Sequence, residues 1–283
     1  MRRSASHIIL AFSFALATVF AGGCSLMSLG DNLSTAVLEQ KDPEIVRAGL
    51  PSYLLMLDGL IAGDPRNAAR LRSGADLYAF YAAAFVDDPL RAKLLADQAF
   101  DYAGRALCRE EKAACGLRAL PAAEMAPVLE RVDADALPYL MTYSTAWLLW
   151  IRQNADDWGA LADLPKVELL LERMLALDEG FQDGRSHFYL GILKSLRPAA
   201  FGGDPAGGRR HFERAIALSG GRDFSYQVEF AATYARAVYD RELHDRLLRE
   251  VLAADPEEAG RTLTNLLARQ RAEALLASGE AYF

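Results

Sequence analysis

The dipeptide Asp-Pro occurs five times, at Asp42-Pro43, Asp64-Pro65, Asp88-Pro89, Asp204-Pro205 and Asp255-Pro256. Aspartate is a good helix N-cap, and proline is favoured at the first helical position because it lacks the N–H that would be unpaired there. Each pair therefore predicts a helix start. The first three lie 22 (64 − 42) and 24 (88 − 64) residues apart. That spacing suits a helix of about five turns and a short connection. No long alternating stretch rich in Val, Ile and Thr appears, so no sheet is expected.

Apolar residues recur at spacings of three and four from Asp42 to the end, the pattern of helices with one face in a core. The first helix, Pro43 to Ala62, carries Leu50, Leu54, Leu57 and Ile61 on one stripe. The second, Asn67 to Val86, carries Leu71, Leu77, Tyr78, Tyr81 and Phe85. The third, Pro89 to Leu107, carries Leu94, Leu95, Ala99, Phe100 and Tyr102. Further helices are expected over 122–132, 137–154, 165–177, 184–196, 205–218, 226–239, 242–254 and 262–277. Small residues at Gly191, Ala215, Ala231 and Ala232 let neighbouring helices cross closely, and DRLLREVLAADP, from Asp245 to Pro256, ends like the second helix of a tetratricopeptide unit. The fold expected is all-α, with about eleven helices in irregular tetratricopeptide-like hairpin repeats. Such an α-α superhelix has a concave face.

Of 283 residues, 52% are hydrophobic and 24% charged, which allows a large core. The net charge is −7 and no dense basic block appears, which argues against a nucleic-acid partner. Residues 1–23 read as a lipoprotein signal peptide. Arg2 and Arg3 precede an apolar stretch from Ile8 to Phe20, then Ala21-Gly22-Gly23 leads to Cys24. Cys24 is the expected lipidation site, although leucine usually stands where Ala21 does. Two or more acyl chains on Cys24 would hold the protein to a membrane. Residues 24–41 would be a tether, and 42–283 the helical repeat domain.

Cys108 and Cys115 would lie about 10.5 Å apart along one continuous helix. A disulfide needs Cα atoms within about 7 Å, so a bridge requires the helix to end between them. Gly116 is a plausible stop just beyond. Two buried thiols are the preferred reading over a bridge.

Two aromatic sets repeat the helical spacing: Tyr78, Tyr81 and Phe85, then Tyr143, Trp147 and Trp150. Such stripes are usually core. Phenol and indole nevertheless need polar partners when buried, and several of these rings could line an apolar channel with polar tips. Phe188, Tyr226 and Tyr234 join them as channel candidates. Between His187 and Gly221 a helix pair is opened by RPAAFGGDPAGG, where Pro198 stops one helix and Asp204-Pro205 starts the next. Phe201, Gly202 and Gly203 in that loop, with Arg209 and Arg210 after it, are candidates for a lip or an interface. Enzyme chemistry finds little support: there is no His-x-x-x-His pair and no Gly-x-Ser-x-Gly elbow. No metal or other cofactor is expected.

LMLDGLIAGDPRN, ADLYAFYAAAFV, HFYLGILKSLRPAAFGGDPAGGRRHFERAIALSGG, YARAVYDRELHDRLLREVLAADP and the closing Tyr282-Phe283 together resemble the T-component (TatT) family of TRAP transporters. The resemblance runs in order through most of the chain after the signal. It implies an exported lipoprotein of tetratricopeptide-like hairpins that forms homo-oligomers, trimers in the known case. It also implies association with a TRAP periplasmic substrate-binding protein and an interior open to hydrophobic ligands, such as apolar organic acids or lipid-like molecules. Location in the bacterial periplasm follows, on a lipid anchor, with the outer membrane favoured. The alternative is a generic periplasmic tetratricopeptide scaffold for envelope protein assembly, without ligand. The weak residue before the lipidation site and the Cys108/Cys115 pair depart from the family pattern.

Overall fold

The computed structural model describes residues 34–197 and 203–283; Cys24, Phe201 and Gly202 lie outside that set. After a short helical segment at 34–38, thirteen α-helices follow, and no strand occurs among the described residues. The first half comprises α1 (Pro43–Gly63), α2 (Ala68–Phe85), α3 (Pro89–Glu110), α4 (Ala122–Leu129), α5 (Leu137–Gln153), α6 (Trp158–Leu161) and α7 (Leu164–Leu177). The second half comprises α8 (Phe181–Ser195), α9 (Pro205–Ser219), α10 (Phe224–Glu229), α11 (Arg241–Ala253), α12 (Thr262–Ala277) and α13 (Gly279–Tyr282).

Three of the five Asp-Pro pairs start helices. The side chains of Asp42, Asp88 and Asp204 accept from backbone N–H groups of the first turns of α1, α3 and α9. The other two do not. Asp64 closes α1, and Asn67 caps α2 by accepting from the Arg70 N–H. Asp255 accepts from the Glu257 N–H at 3.0 Å, and the Pro256 carbonyl is held by the Asn265 amide at 3.3 Å. That tie to α12 keeps the segment non-helical until Thr262. The stripe of α3 also differs from the expected one. Leu94 is 68% exposed, and the buried face is Ala92, Ala96, Ala99, Ala103 and Ala106, whose small side chains let neighbouring helices approach.

Each outer helix bridges two successive inner ones. Thus α3 packs on α2 and α5, α7 on α5 and α8, α9 on α8 and α10, and α11 on α10 and α12. This is the stacking order of helical-hairpin repeats. At the α8–α9 crossing Leu190, Phe212 and Ala215 are fully buried, and a Cβ on Gly191 would sit 2.9 Å from the Phe212 ring. The loop the sequence opens there is pinched at its base, where the Asp204 N–H donates to the Lys194 carbonyl at 3.2 Å.

The winding continues until its ends meet, for α12 touches α1. Lys41 pairs with Glu257 at 2.5 Å, and the Gly260 N–H donates to Glu39 at 2.5 Å. Leu263 of α12 is fully buried in the same core as Val46 and Leu50 of α1. A second core, around Phe212, Phe230 and Leu248, serves the later helices.

Cys108 and Cys115 are joined by a disulfide with Cα atoms 4.5 Å apart. This corrects the reading of two buried thiols. The α-helix ends at Glu110, and a single turn over Lys112–Ala114 folds the chain back, leaving Cys115 exposed.

Candidate functional site

The aromatic candidates for a channel are pins of the core instead. Tyr78, Tyr81, Phe85, Tyr143, Trp147, Phe188, Tyr226 and Tyr234 are all buried, and Trp150 is half-buried. Their rings pack between helices: Phe100 of α3 stacks on Tyr143 at 5.4 Å and on Trp147 at 5.5 Å, while Phe188 stacks on Tyr226 at 4.7 Å. Their polar ends are held by other elements. Tyr78 and Tyr102 both donate to Asp58 of α1, at 2.6 and 2.8 Å. Burial, followed by that carboxylate, pushes the Tyr102 phenol up to about 12. Trp147 donates to Asp163 at 3.2 Å, and Trp150 to Asp97 at 2.8 Å. With rings in the interhelical core and tips already paired, these residues leave little to offer a ligand.

The inner helices bring together a different set. Arg72 and Asp76 stand on α2, Arg152 on α5, Arg185 and Tyr189 on α8, Glu229 on α10 and Arg271 on α12. Asp223, the N-cap of α10, completes the group with Asp183 and Arg261. Arg185 lies within electrostatic range of Asp76, Asp223, Tyr189 and Tyr226, and Arg152 of Glu229, Arg271 and Tyr189. Residues of five helices thus influence one another electrostatically.

Two properties of Asp76 define its setting. Its carboxyl accepts from Thr142 at 2.7 Å, lies 3.7 Å from Arg72, and is pushed up by burial. Yet 46% of its side-chain surface is accessible to solvent. A group that is crowded by protein and still wet lies on a concave face. Arg185 behaves alike: 41% of its side chain is accessible. Burial pulls its guanidinium down, but Tyr189, Tyr226 and Asp223 outweigh this and the net shift is upward. Burial pulls Arg152 down and pushes Tyr189 up.

Local backbone is shaped around this face. Gln182 and Asp183 have positive φ (49° and 58°), followed by Gly184 at 79°. Two non-glycine residues in the left-handed region cost of order 1 kcal/mol each, and such strain persists where surrounding contacts hold it. Here Asp183 ion-pairs with Arg261, and the Gln182 carbonyl accepts from Tyr226 at 3.4 Å. Directly after Glu229, which pairs with Arg271, the helix widens into a π segment over Phe230–Ala235. π-bulges occur frequently at functional sites.

The loop candidates stand apart from this interior. Arg209 pairs with Glu213 on the surface of α9 at 2.8 Å, and Arg210 is exposed on the same helix. Gly203 lies against the chain at Arg197, where a Cβ would meet the carbonyl oxygen. Sequence reading missed the interior residues. A usable signal was present: charged or phenolic residues four apart on otherwise apolar inner helices, Arg72/Asp76 and Arg185/Tyr189.

A second polar cluster ties α8 to α9. His187 Nδ1 and His211 Nδ1 are 2.7 Å apart, and His187 Nε2 lies 3.0 Å from Glu179, which Arg214 also holds at 2.8 Å. These contacts are satisfied when His187 donates through Nε2 and accepts through Nδ1 from His211. Burial, then His187, Lys194 and Arg210, lower His211 to about 4, partly offset by Asp204. Hydrogen bonds from Arg214 and His187 lower Glu179 to about 2. Between pH 6.5 and 4 the unfolded chain binds a proton at His211 that the folded chain refuses, so stability falls as pH falls. The Glu179 contribution is present above about 4.5 and is lost as pH falls towards 2. Melting temperature should hold steady above pH 7 and drop below pH 6.5, and His211→Gln should flatten the upper part of that drop. An unchanged profile in the variant would remove His211 as the cause.

Helical hairpins stacked until α12 meets α1 define the class: a helical-repeat scaffold. A family model described as the TRAP transporter T-component (TAtT) matches residues 39–283, and the chain belongs to that family. An uncharacterized protein of Treponema pallidum (strain Nichols) is 24% identical over 265 residues, covering 87% of this chain and 81% of its own.

Proposed function

We propose that this TRAP-associated protein is an exported lipoprotein adaptor. It is anchored through Cys24 on the periplasmic side, with the outer membrane favoured. It docks a TRAP periplasmic substrate-binding protein and carries an organic-acid ligand in its interior. The observation behind the ligand half is the wet concave face of arginines and phenols contributed by five helices. Its ionic character favours an organic acid over a lipid-like molecule. The docking half rests on family membership. We read no catalytic role for the chain.

Self-association, a trimer by family resemblance, has support from α1. That helix buries Leu50, Leu54, Leu57 and Ile61 but presents Ile45, Leu55, Met56 and Leu60 outward. A groove of about 430 Å³ lies on this side, lined by Val37, Ile45, Val46, Leu50, Tyr53 and Met56. Contiguous exposed apolar surface of this kind marks interaction sites. The 21 residues of α1 are long and apolar enough to cross a membrane by length and composition, but the buried stripe packs on α2.

The test is purification of the membrane-bound protein with its periplasmic neighbours. Recovery of a TRAP substrate-binding protein, at a mass consistent with a trimer, supports the reading. Recovery of envelope-assembly proteins alone favours a scaffold without ligand. Cys24→Ala should release the protein from membranes, and retention of that variant would place the anchor elsewhere.

A further inference from the structure

We propose that one edge of the winding, formed by the starts of α1 and α3 and the turn after α5, rests on a lipid surface and seats Ile45, Leu90, Leu94 and Trp158 in it. This rests on the Cys24 anchor of the reading above and is independent of docking and of any ligand.

Hydrogen bonds between elements build the edge. Lys93 of α3 donates to Asn154, the C-cap of α5, and Trp150 of α5 donates to Asp97 of α3 at 2.8 Å. Four residues forward on α3 thus answer four back on α5, so the two helices run antiparallel. Carried three residues further, that register sets Leu90 level with Asp157, next to Trp158. The chain turns tightly there. The Asp157 N–H donates to the Asn154 carbonyl at 2.9 Å, and the Asp157 carboxylate accepts from the Gly159 N–H at 2.8 Å. Arg47 of α1 donates to the carbonyl of Phe85, the last residue of α2, at 3.4 Å, and lies 5.4 Å from the centre of that ring. Only three residues separate Phe85 from α3, so the start of α1 stands at the same edge.

The side chains at this edge are open to solvent. Trp158 at 84% and Leu90 at 76% are the two most exposed large hydrophobics among the described residues, and Leu94 follows Leu90 by one turn on the same face. The tether says what covers them. The chain enters α1 at Pro43, two residues before Ile45, and the described residues begin at 34, ten after Cys24 (34 − 24). Ten residues span at most about 36 Å, so acyl chains on Cys24 hold this part of the molecule near the bilayer. A surface tethered in that way stays in contact with little affinity of its own. Tryptophan suits the boundary, with an apolar ring for the acyl region and an N–H for the headgroups. Asp87, Asp88, Asp156 and Asp157 are exposed beside these residues. The contact is therefore apolar rather than electrostatic, and zwitterionic lipid is preferred to anionic lipid.

The experiment couples the mature chain, from Cys24 to Phe283, to a maleimide phospholipid in phosphatidylcholine vesicles. Cys108 and Cys115 are bridged, so Cys24 carries the free thiol. Brominated acyl chains should quench the Trp158 signal, taken as the difference between the parent and Trp158→Phe, by about twofold, because an interfacial indole reaches the upper chains. Trp147 and Trp150, which remain in Trp158→Phe, should not be quenched. The double variant Leu90→Glu, Leu94→Glu should lose the quenching at an unchanged solution mass. Leu60→Glu, about 22 Å along α1 from Ile45, should keep it. Adding phosphatidylglycerol should weaken it. An unquenched Trp158, quenching retained in the double variant, loss with Leu60→Glu, or quenching that rises with phosphatidylglycerol would each overturn the proposal. A changed solution mass in the double variant would also overturn it, by making this edge a contact between copies of the chain. Coupling at Cys24 is chemical here, so the outcome does not depend on lipidation in the cell. Quenched Trp158 with Cys24→Ala still on cell membranes removes the anchor reading alone, and the opposite pair of results removes the edge alone.

Discussion

Gly208→Val is expected to destabilise the protein by about 3 kcal/mol, the upper end of what overpacking a tight contact costs. In a chain of this size that lowers the melting temperature by about 6–12 °C, from about 2–4 °C per kcal/mol. Gly208 lies in the first turn of α9, where it crosses α8. A Cβ there would sit 2.3 Å from the Ser195 hydroxyl oxygen, 3.1 Å from the Gly191 carbonyl and 3.3 Å from the Ser195 nitrogen. The hydroxyl can rotate away, but the backbone atoms cannot. Alanine therefore tests the argument from the other side. Once Ser195 rotates, its single carbon is left with backbone contacts at 3.1 and 3.3 Å that are tight but not overlapping, and its helix propensity exceeds that of glycine by about 1 kcal/mol. Gly208→Ala should stay within about 1 kcal/mol of the parent by chemical denaturation. A valine variant as stable as the alanine one would mean the α8–α9 crossing is looser than described.

Trp147→Ala should cost about 3–5 kcal/mol, the range for removing a large aromatic from a packed interior. Trp147 is fully buried, contacts Phe100 and Tyr143 at ring separations of 5.5 and 5.2 Å, and donates its indole N–H to Asp163. It joins α3, α5 and the start of α7 at one point. Trp147→Phe separates packing from hydrogen bonding. Asp163 keeps Arg118 at 3.2 Å and Lys166 at 3.0 Å, so losing the indole donor alone should cost about 1–2 kcal/mol. Urea unfolding of the two variants measures the difference. Equal losses would show that the polar contact, not the ring, holds this junction.

The fold was legible from the sequence because its signals are local. Periodicity of three and four marked the helices, Asp42, Asp88 and Asp204 marked three starts, and Gly191 with Ala215 marked a close helix crossing. Asp64-Pro65 and Asp255-Pro256 misled because the deciding partners, Asn67 and Asn265, act through a turn and a distant helix. The disulfide was obscured for a similar reason: its feasibility depends on a helix end at Glu110 that the residues around it do not announce. The interior was hidden for a deeper one. Tyr143 and Arg152 stand on the same helix, yet the packing of α3 makes the ring core while residues of α8, α10 and α12 set the charges around the guanidinium. A stripe is a property of one helix, whereas the grouping of charges from several helices is a property of how the winding closes.

That closure is the central claim, and zero-length carbodiimide coupling at low protein concentration tests it most directly. The reagent joins an amine to a carboxylate already in contact. Closure predicts an intrachain Lys41–Glu257 crosslink by mass spectrometry of the monomeric band, since the pair is 2.5 Å apart across the two ends of the winding. Lys194–Glu168, also 2.5 Å apart but between adjacent helices, serves as the internal standard. Recovery of the Lys194–Glu168 product without any Lys41–Glu257 product would mean that the ends do not meet, and that the helices form an open arch rather than a ring.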